Sequence, residues 1–172
     1  SFTRTAYLFS CTDFVKENVE TLLDFVQIPY FTEETVEKER GIIGEEIQMY
    51  EDDSNWQLYF GTIGSMFSNH PVHLDIAGTK SSIAQITKDM LYTCYHTFYH
   101  PSNMVLFLVG PIHPEQMIQL IEENQFKKTF NEKQTITRKT FIENGSVCDK
   151  QIQMAIQMPK MKVGIRSNIE EH

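Results

Sequence analysis

The stretch from Thr32 to Asp53 constrains the fold of this chain most, because its sequence indicates one long amphipathic helix. Thr32 is a good N-cap residue, and the two glutamates after it place negative charge on the first turn, where the helix dipole favours it. Apolar side chains recur along the stretch at helical spacing, namely Val36, Ile42, Ile43, Ile47 and Tyr50. It is the longest element that the sequence predicts.

Two carboxylates, Glu39 and Glu46, interrupt the apolar face of this helix. Seven residues at about 100° each place them within about 20° of one another and roughly 10 Å apart along the axis. A carboxylate on a buried stripe needs a cation, a hydrogen-bond partner or a proton. Solvated glutamates that pair with Arg40 or Lys38 are the commoner explanation. The alternative is a metal ligand and a second carboxylate that orients another ligand.

Further helices are predicted on both sides of this segment. Their apolar spacing and their cap residues indicate helices at 12–27, 56–67, 88–99 and 114–124, with one turn at 81–86. Thr12 and Thr87 are the expected N-caps of the first and third of these, and the poor helix formers at 52–55 predict a break.

Three segments have the patterns of strands. Residues 1–10 and 151–158 alternate, whereas residues 103–109 form a continuous apolar run that indicates a strand covered on both faces. A weaker strand signal lies at 135–142. The element order predicts an α+β fold, with helices packed on one side of a mostly antiparallel sheet. One domain is expected over 1–172, with residues 125–150 as a polar connecting segment.

Composition excludes some classes of partner. The net charge of −8 over 172 residues argues against nucleic acid and anionic membranes, and no apolar run approaches the length of a membrane span. The three cysteines are not spaced for a metal or redox motif, so reduced, partly buried thiols and a cytoplasmic location are expected. The sequence contains no nucleotide-binding or serine-hydrolase motif.

Two histidine pairs are further candidate metal ligands. His96 and His100 are four residues apart on a helix, and His70 and His73 flank a Pro-Val turn. Ordinary helix-end and loop histidines explain both pairs better, because neither pair has the glutamate of an H-E-x-x-H motif.

Two segments together resemble the insulinase/pitrilysin-type zinc metallopeptidases, including processing-protease-like bacterial members. They are VEKERGIIGEEIQMYEDD and LYTCYHTFYHPSNMVLFLVGPIHPE, and the His70-Pro71 loop and Gly78-Thr79 lie between them. The resemblance covers the chain from Ser1 to about Asn124. It implies the helix-on-sheet domain of that family, here incomplete at its N-terminus.

The resemblance also implies site residues. In this family an inverted H-x-x-E-H motif supplies two histidine ligands and a general base, and a glutamate on a later helix is the third zinc ligand. Glu46 matches that third ligand. Glu39 matches a carboxylate that supports the ligands without binding zinc itself. The implied substrate is a peptide in extended form, and the implied partner is the other half of the peptidase clamshell.

The sequence departs from the family pattern because it contains no H-x-x-E-H motif. We therefore expect a fragment of the N-terminal half of a zinc metalloendopeptidase, inactive alone and binding zinc only weakly. The alternatives are a non-catalytic homologue that acts as a binding or scaffold subunit, and an unrelated α+β domain. A sheet that begins within a strand also predicts an exposed edge and self-association.

Overall fold

The computed structural model describes residues 4–137, 140–141, 145 and 147–166. Its helices are α1 (Val15–Gln27), α2 (Glu33–Asp52), α3 (Ser54–Met66), α4 (Lys80–Ile83), α5 (Lys88–Phe98) and α6 (Pro114–Phe126), with 3-10 turns at Pro71–His73 and Pro101–Asn103. Every helix predicted from the sequence is therefore confirmed, with ends that differ by a few residues.

The described residues form two compact units. Unit one comprises residues 4–33 and 87–137, and unit two comprises residues 34–86 and the described residues from 140 onward. The prediction of a single domain over 1–172, with a connecting segment at 125–150, stays a prediction.

Unit one is built on the packing of α1 against α6. The buried apolar side chains at this contact are Val19, Leu23, Val26 and Met117. A polar cluster lies beside them, in which Lys128 Nζ is 2.7 Å from Asp24 Oδ1 and Asn124 Nδ2 donates to the same oxygen at 3.1 Å. Buried Asn124 thus has a partner, as a buried amide requires.

Unit two is organised by α2 and α3. α2 buries Val36 and Ile47, which are three turns apart on one stripe, and Ile83 of α4 is also buried. Asp53 separates the two helices and caps α3, because its Oδ1 accepts from the backbone N–H groups of Asn55 at 2.8 Å and Trp56 at 3.4 Å. The predicted break at 52–55 is confirmed, and this cap is its physical cause.

The predicted sheet is wrong. None of the described residues lies in a β-strand, so the described part of the chain is helical with extended connections. The three predicted strands are extended coil at 4–10, 103–109 and 151–158, apart from a 3-10 turn that ends at Asn103 and a bend at 157–158. Residues 1–3 of the first predicted strand, and residues 138, 139 and 142 of the weak one, lie outside the described residues.

The segment 104–109 shows why the prediction failed. Val105, Phe107 and Val109 are 93%, 82% and 84% exposed, whereas the residues between them are more covered. This segment therefore has one apolar side packed and one side in solvent, instead of two covered faces. A strand is completed by hydrogen bonds to a neighbouring strand, and side-chain patterning along one segment does not supply that neighbour.

The cap of α1 also differs from the prediction. Phe14, not Thr12, occupies the N-cap position, with a left-handed φ of 53° and no side-chain cap. Asn18 Nδ2 instead donates to the carbonyl oxygens of Phe14 at 2.9 Å and Asp13 at 3.2 Å. The predicted cap of α5 is confirmed, because Thr87 Oγ1 accepts from the backbone N–H of Met90.

Candidate functional site

Glu46 lies on the exposed side of α2, next to buried Ile47. The Tyr50 hydroxyl, one turn further along the helix, donates to Glu46 Oε1 at 3.0 Å. This hydrogen bond to the Glu46 carboxylate raises the pKa of Tyr50, so the hydroxyl stays protonated and remains a donor at neutral pH.

Tyr50 is held by residues from α3 and the loop after it. Its ring stacks on Trp56, with the ring centroids 4.3 Å apart and the planes 18° from parallel. Trp56 Nε1 donates to Asp75 Oδ2 at 2.9 Å, and the other carboxylate oxygen of Asp75 accepts from the backbone N–H of Ala77 at 3.0 Å. Tyr50 and Trp56 are therefore fixed relative to one another by stacking and by an anchored carboxylate.

A cleft of about 570 Å³ lies beside this aromatic pair. Its walls include Tyr50, Trp56 and Asp75, together with residues of α3 and of the segment 148–150. Neither Glu39 nor Glu46 lines the cleft, although Tyr50 both lines it and donates to Glu46. The Tyr50 hydroxyl is therefore the link between the Glu46 carboxylate and the cleft.

Glu39 is on the same unbroken helix as Glu46, and it is also exposed. Within the described residues its carboxylate has no hydrogen bond or ion pair. Arg40 does not pair with it, because this guanidinium pairs with Glu37 and donates to the Ala84 carbonyl oxygen at 3.0 Å. The structure therefore leaves the carboxylate of Glu39 facing solvent.

The histidine pairs have local structural roles. His70 Nδ1 accepts from the backbone N–H of Val72, and His100 Nδ1 accepts from that of Ser102, both at 3.1 Å. Each histidine precedes a proline and caps the 3-10 turn that this proline begins. The interpretation that neither pair binds a metal stays a prediction.

The described residues can be compared with the ligands that a zinc ion requires. Glu46 Oε2 receives no hydrogen bond from a described residue, and a carboxylate with one such oxygen fits the role of a single zinc ligand. No group of three histidine, cysteine, aspartate or glutamate side chains among the described residues has the arrangement of a metal site. The described residues thus fit one ligand of a zinc site and do not complete one.

Sequence reasoning placed Tyr50 only on the apolar face of the helix and missed its contact with Glu46. The available signal was spacing, because side chains four residues apart on a helix are neighbours. No sequence pattern indicated the stacking of Tyr50 on Trp56, which depends on the change of direction at Asp53.

Comparison with known proteins shows what the chain is similar to. The family model described as the Peptidase M16 inactive domain matches residues 85–165. An uncharacterized zinc protease of Bacillus subtilis, YmfH, is 58% identical over 169 residues, which are 97% of this chain and 40% of that protein. The crystal structure of an M16-like peptidase from Alicyclobacillus acidocaldarius superposes with a TM-score of 0.68 at 48% identity, over 71% of this chain and 29% of that one. The chain is therefore similar to the insulinase-type (M16) peptidases.

Other proteins that are named zinc proteases match over shorter stretches. An uncharacterized zinc protease of Mycobacterium leprae is 32% identical over 89 residues, which are 52% of this chain and 20% of that protein. The chain spans about two fifths of the length of its Bacillus subtilis relative. Among the described residues, no helix has both the length and the hydropathy needed to cross a membrane.

Proposed function

We propose that this chain is a segment of a zinc-dependent metalloendopeptidase that hydrolyses peptide bonds, and that Glu46 is one of its zinc ligands. The observation that carries the proposal is the Glu46 carboxylate itself. It is exposed on a continuous helix, one oxygen is held by Tyr50, and the other oxygen accepts no hydrogen bond from a described residue. Names of relatives as zinc proteases support the same assignment.

The proposal divides the active site between this chain and residues outside it. Glu46 supplies one carboxylate ligand, and Glu39 acts as a second carboxylate that orients the site without binding the metal. Two histidine ligands and the general base come from an H-x-x-E-H motif that this sequence lacks. The chemistry that zinc supplies in such enzymes is polarisation of the scissile carbonyl and activation of a water molecule.

The proposed substrate is a peptide or protein in extended form, and the proposed partner is the remaining part of the peptidase clamshell. Large apolar side chains are exposed in both units, which supports the presence of another protein surface that covers them. All three cysteines are free and exposed, which is usual in a reducing compartment and supports a cytoplasmic location.

One observation favours a second candidate function. The family model that matches residues 85–165 is described as an inactive domain. A non-catalytic homologue that acts as a binding or scaffold subunit is therefore the alternative. The two candidates differ in what they predict for Glu46, because a scaffold subunit has no use for a metal ligand.

The test compares three glutamine variants in the full-length peptidase. Glutamine keeps the size of the side chain but removes its negative charge, so Glu46→Gln is expected to lose bound zinc and most peptidase activity. Glu39→Gln is expected to reduce zinc affinity or peptidase activity by about 10–100-fold. Changes to residues that orient the metal ligands typically have effects of this size. Zinc content after dialysis and hydrolysis of a peptide substrate are measured for each variant.

Glu45→Gln is the matched control, because Glu45 is adjacent in sequence but about 100° around the helix. It is expected to retain zinc and activity. Equal zinc content in the Glu46→Gln and wild-type enzymes would reject the proposal and favour the scaffold alternative.

A further inference from the structure

The Glu46 carboxylate sits on an exposed helix face, where a free glutamate side chain samples several rotamers. A metal ligand works best when its orientation is set before the metal binds, because ordering it afterwards costs conformational entropy. The structure therefore raises the question of what orients Glu46.

Among the described residues, the Tyr50 hydroxyl donates the one side-chain hydrogen bond that Glu46 accepts. Its bond to Glu46 Oε1 is 3.0 Å long and joins positions four apart, which are neighbours on a helix surface. A hydrogen bond to a carboxylate is stronger than one between neutral groups, so it restricts the glutamate rotamer. Glu46 Oε2 accepts no hydrogen bond from a described residue.

Tyr50 is itself immobilised, which a lone surface tyrosine is not. The ring lies flat against Trp56, and the Trp56 indole is tied to the Asp75 carboxylate. Gln57 Nε2 donates to the Tyr50 carbonyl oxygen at 3.1 Å, which adds a second link between α2 and α3. The position of the hydroxyl is thereby determined by α3 and by the loop that contains Asp75.

We infer that Tyr50 is a positioning residue, whose hydroxyl, held by the Trp56–Asp75 pair, orients the Glu46 carboxylate for metal binding. The inference rests on the proposed function, because it takes Glu46 to be a zinc ligand. Asp75 and Trp56 act through Tyr50, and none of the three contacts the metal. Because Tyr50 stacks on Trp56, the orientation of the Glu46 carboxylate depends on the packing of α3.

Zinc affinity of the full-length peptidase, measured by competition with a chelator, tests this inference. Tyr50→Phe keeps the ring and its stacking but removes the hydroxyl, and it is expected to weaken zinc binding by about tenfold. Tyr59→Phe is the matched control, because Tyr59 belongs to the same aromatic cluster and its hydroxyl bonds to no described residue. It is expected to bind zinc like the wild type. The visible spectrum of the cobalt-substituted enzyme is expected to change in Tyr50→Phe only.

The outcomes separate the two proposals. Retention of zinc by Glu46→Gln would reject the proposed function. Loss of zinc in Glu46→Gln together with wild-type affinity and spectrum in Tyr50→Phe would reject the positioning role alone. Weak binding in Tyr50→Leu but not in Tyr50→Phe would also reject it, because the ring and not the hydroxyl would then matter. Loss of helical circular dichroism in Tyr50→Phe would assign the position to folding and overturn the inference.

Discussion

At the scale of single residues, two glycines of unit two show opposite requirements. Gly78 has a φ of +76°, and a Cβ placed on it would lie 2.7 Å from Ser82 Oγ. Ser82 belongs to the capping box of α4, in which Thr79 and Ser82 exchange hydrogen bonds. Gly41, in the middle of α2, has no heavy atom within 4 Å of its Cβ position. Only the first glycine is therefore required by its surroundings.

We expect Gly78→Ala to lower the free energy of unfolding by about 1–2 kcal/mol, because alanine is strained at positive φ and would disturb the cap. Gly41→Ala, its matched control, is expected to raise it by about 0.5–1 kcal/mol through helix propensity. Urea denaturation of both variants measures the difference. Equal effects of the same sign would contradict the backbone assignment.

At the scale of secondary-structure elements, the contact between α1 and α6 combines an apolar stripe with a charged cluster. Lys128 Nζ contacts Asp24 Oδ1 and also donates to Gln27 Oε1 at 2.8 Å. The hydrogen bonds from Lys128 and Asn124 lower the pKa of Asp24 below its ordinary value of 3.8. The Asp24 side chain is 49% exposed, so solvent screening limits the contribution of this cluster to stability.

The lowered pKa predicts a specific dependence of stability on pH. A carboxyl group whose pKa is depressed by folding stabilises the folded state above its unfolded pKa. This contribution is lost as the pH falls below 3.8 and passes through the folded pKa. Asp24→Asn is expected to cost at most about 1 kcal/mol at pH 7 and to unfold with a shallower pH dependence in that acid range.

Thermal unfolding followed by circular dichroism between pH 2 and 7, roughly the span over which carboxylates titrate, measures this effect. Glu122→Gln, which removes an exposed carboxylate from α6, is the control and is expected to keep the wild-type profile. Identical profiles for Asp24→Asn and the wild type would show that the cluster does not contribute.

At the scale of the whole molecule, many large hydrophobic side chains are exposed, and exposed apolar patches mark interaction sites. Large hydrophobic side chains are exposed in both units, including Val105 and Phe107 in unit one and Met161 and Ile165 in unit two. Several lie on extended segments whose backbone is available for pairing with another strand.

We therefore expect the isolated chain to associate with itself, with a mass that rises with concentration in light scattering. Replacing Val105 and Phe107 by lysine is expected to reduce association, because charge on an extended segment opposes pairing. The control replaces Thr93 and Thr97, which are already polar, by lysine. A constant monomeric mass at high concentration would contradict the expectation.

The sequence by itself determined the helices of this protein and, to within a few residues, where they begin and end. Helical periodicity, the break at Asp53 and the cap at Thr87 are local features, and neighbouring residues alone satisfy them. The sequence also determined the spacing of Glu39 and Glu46, which follows from helix geometry.

Only the tertiary structure decided the remaining features. Whether the segment 104–109 pairs as a strand depends on a neighbour that its own alternation does not encode. The Tyr50 ring beside Glu46 stacks on Trp56, which bonds to Asp75, and these two residues are ten and twenty-nine residues from Glu46 along the chain. Contacts of this range form only when elements pack together, and a pattern within one segment does not contain them.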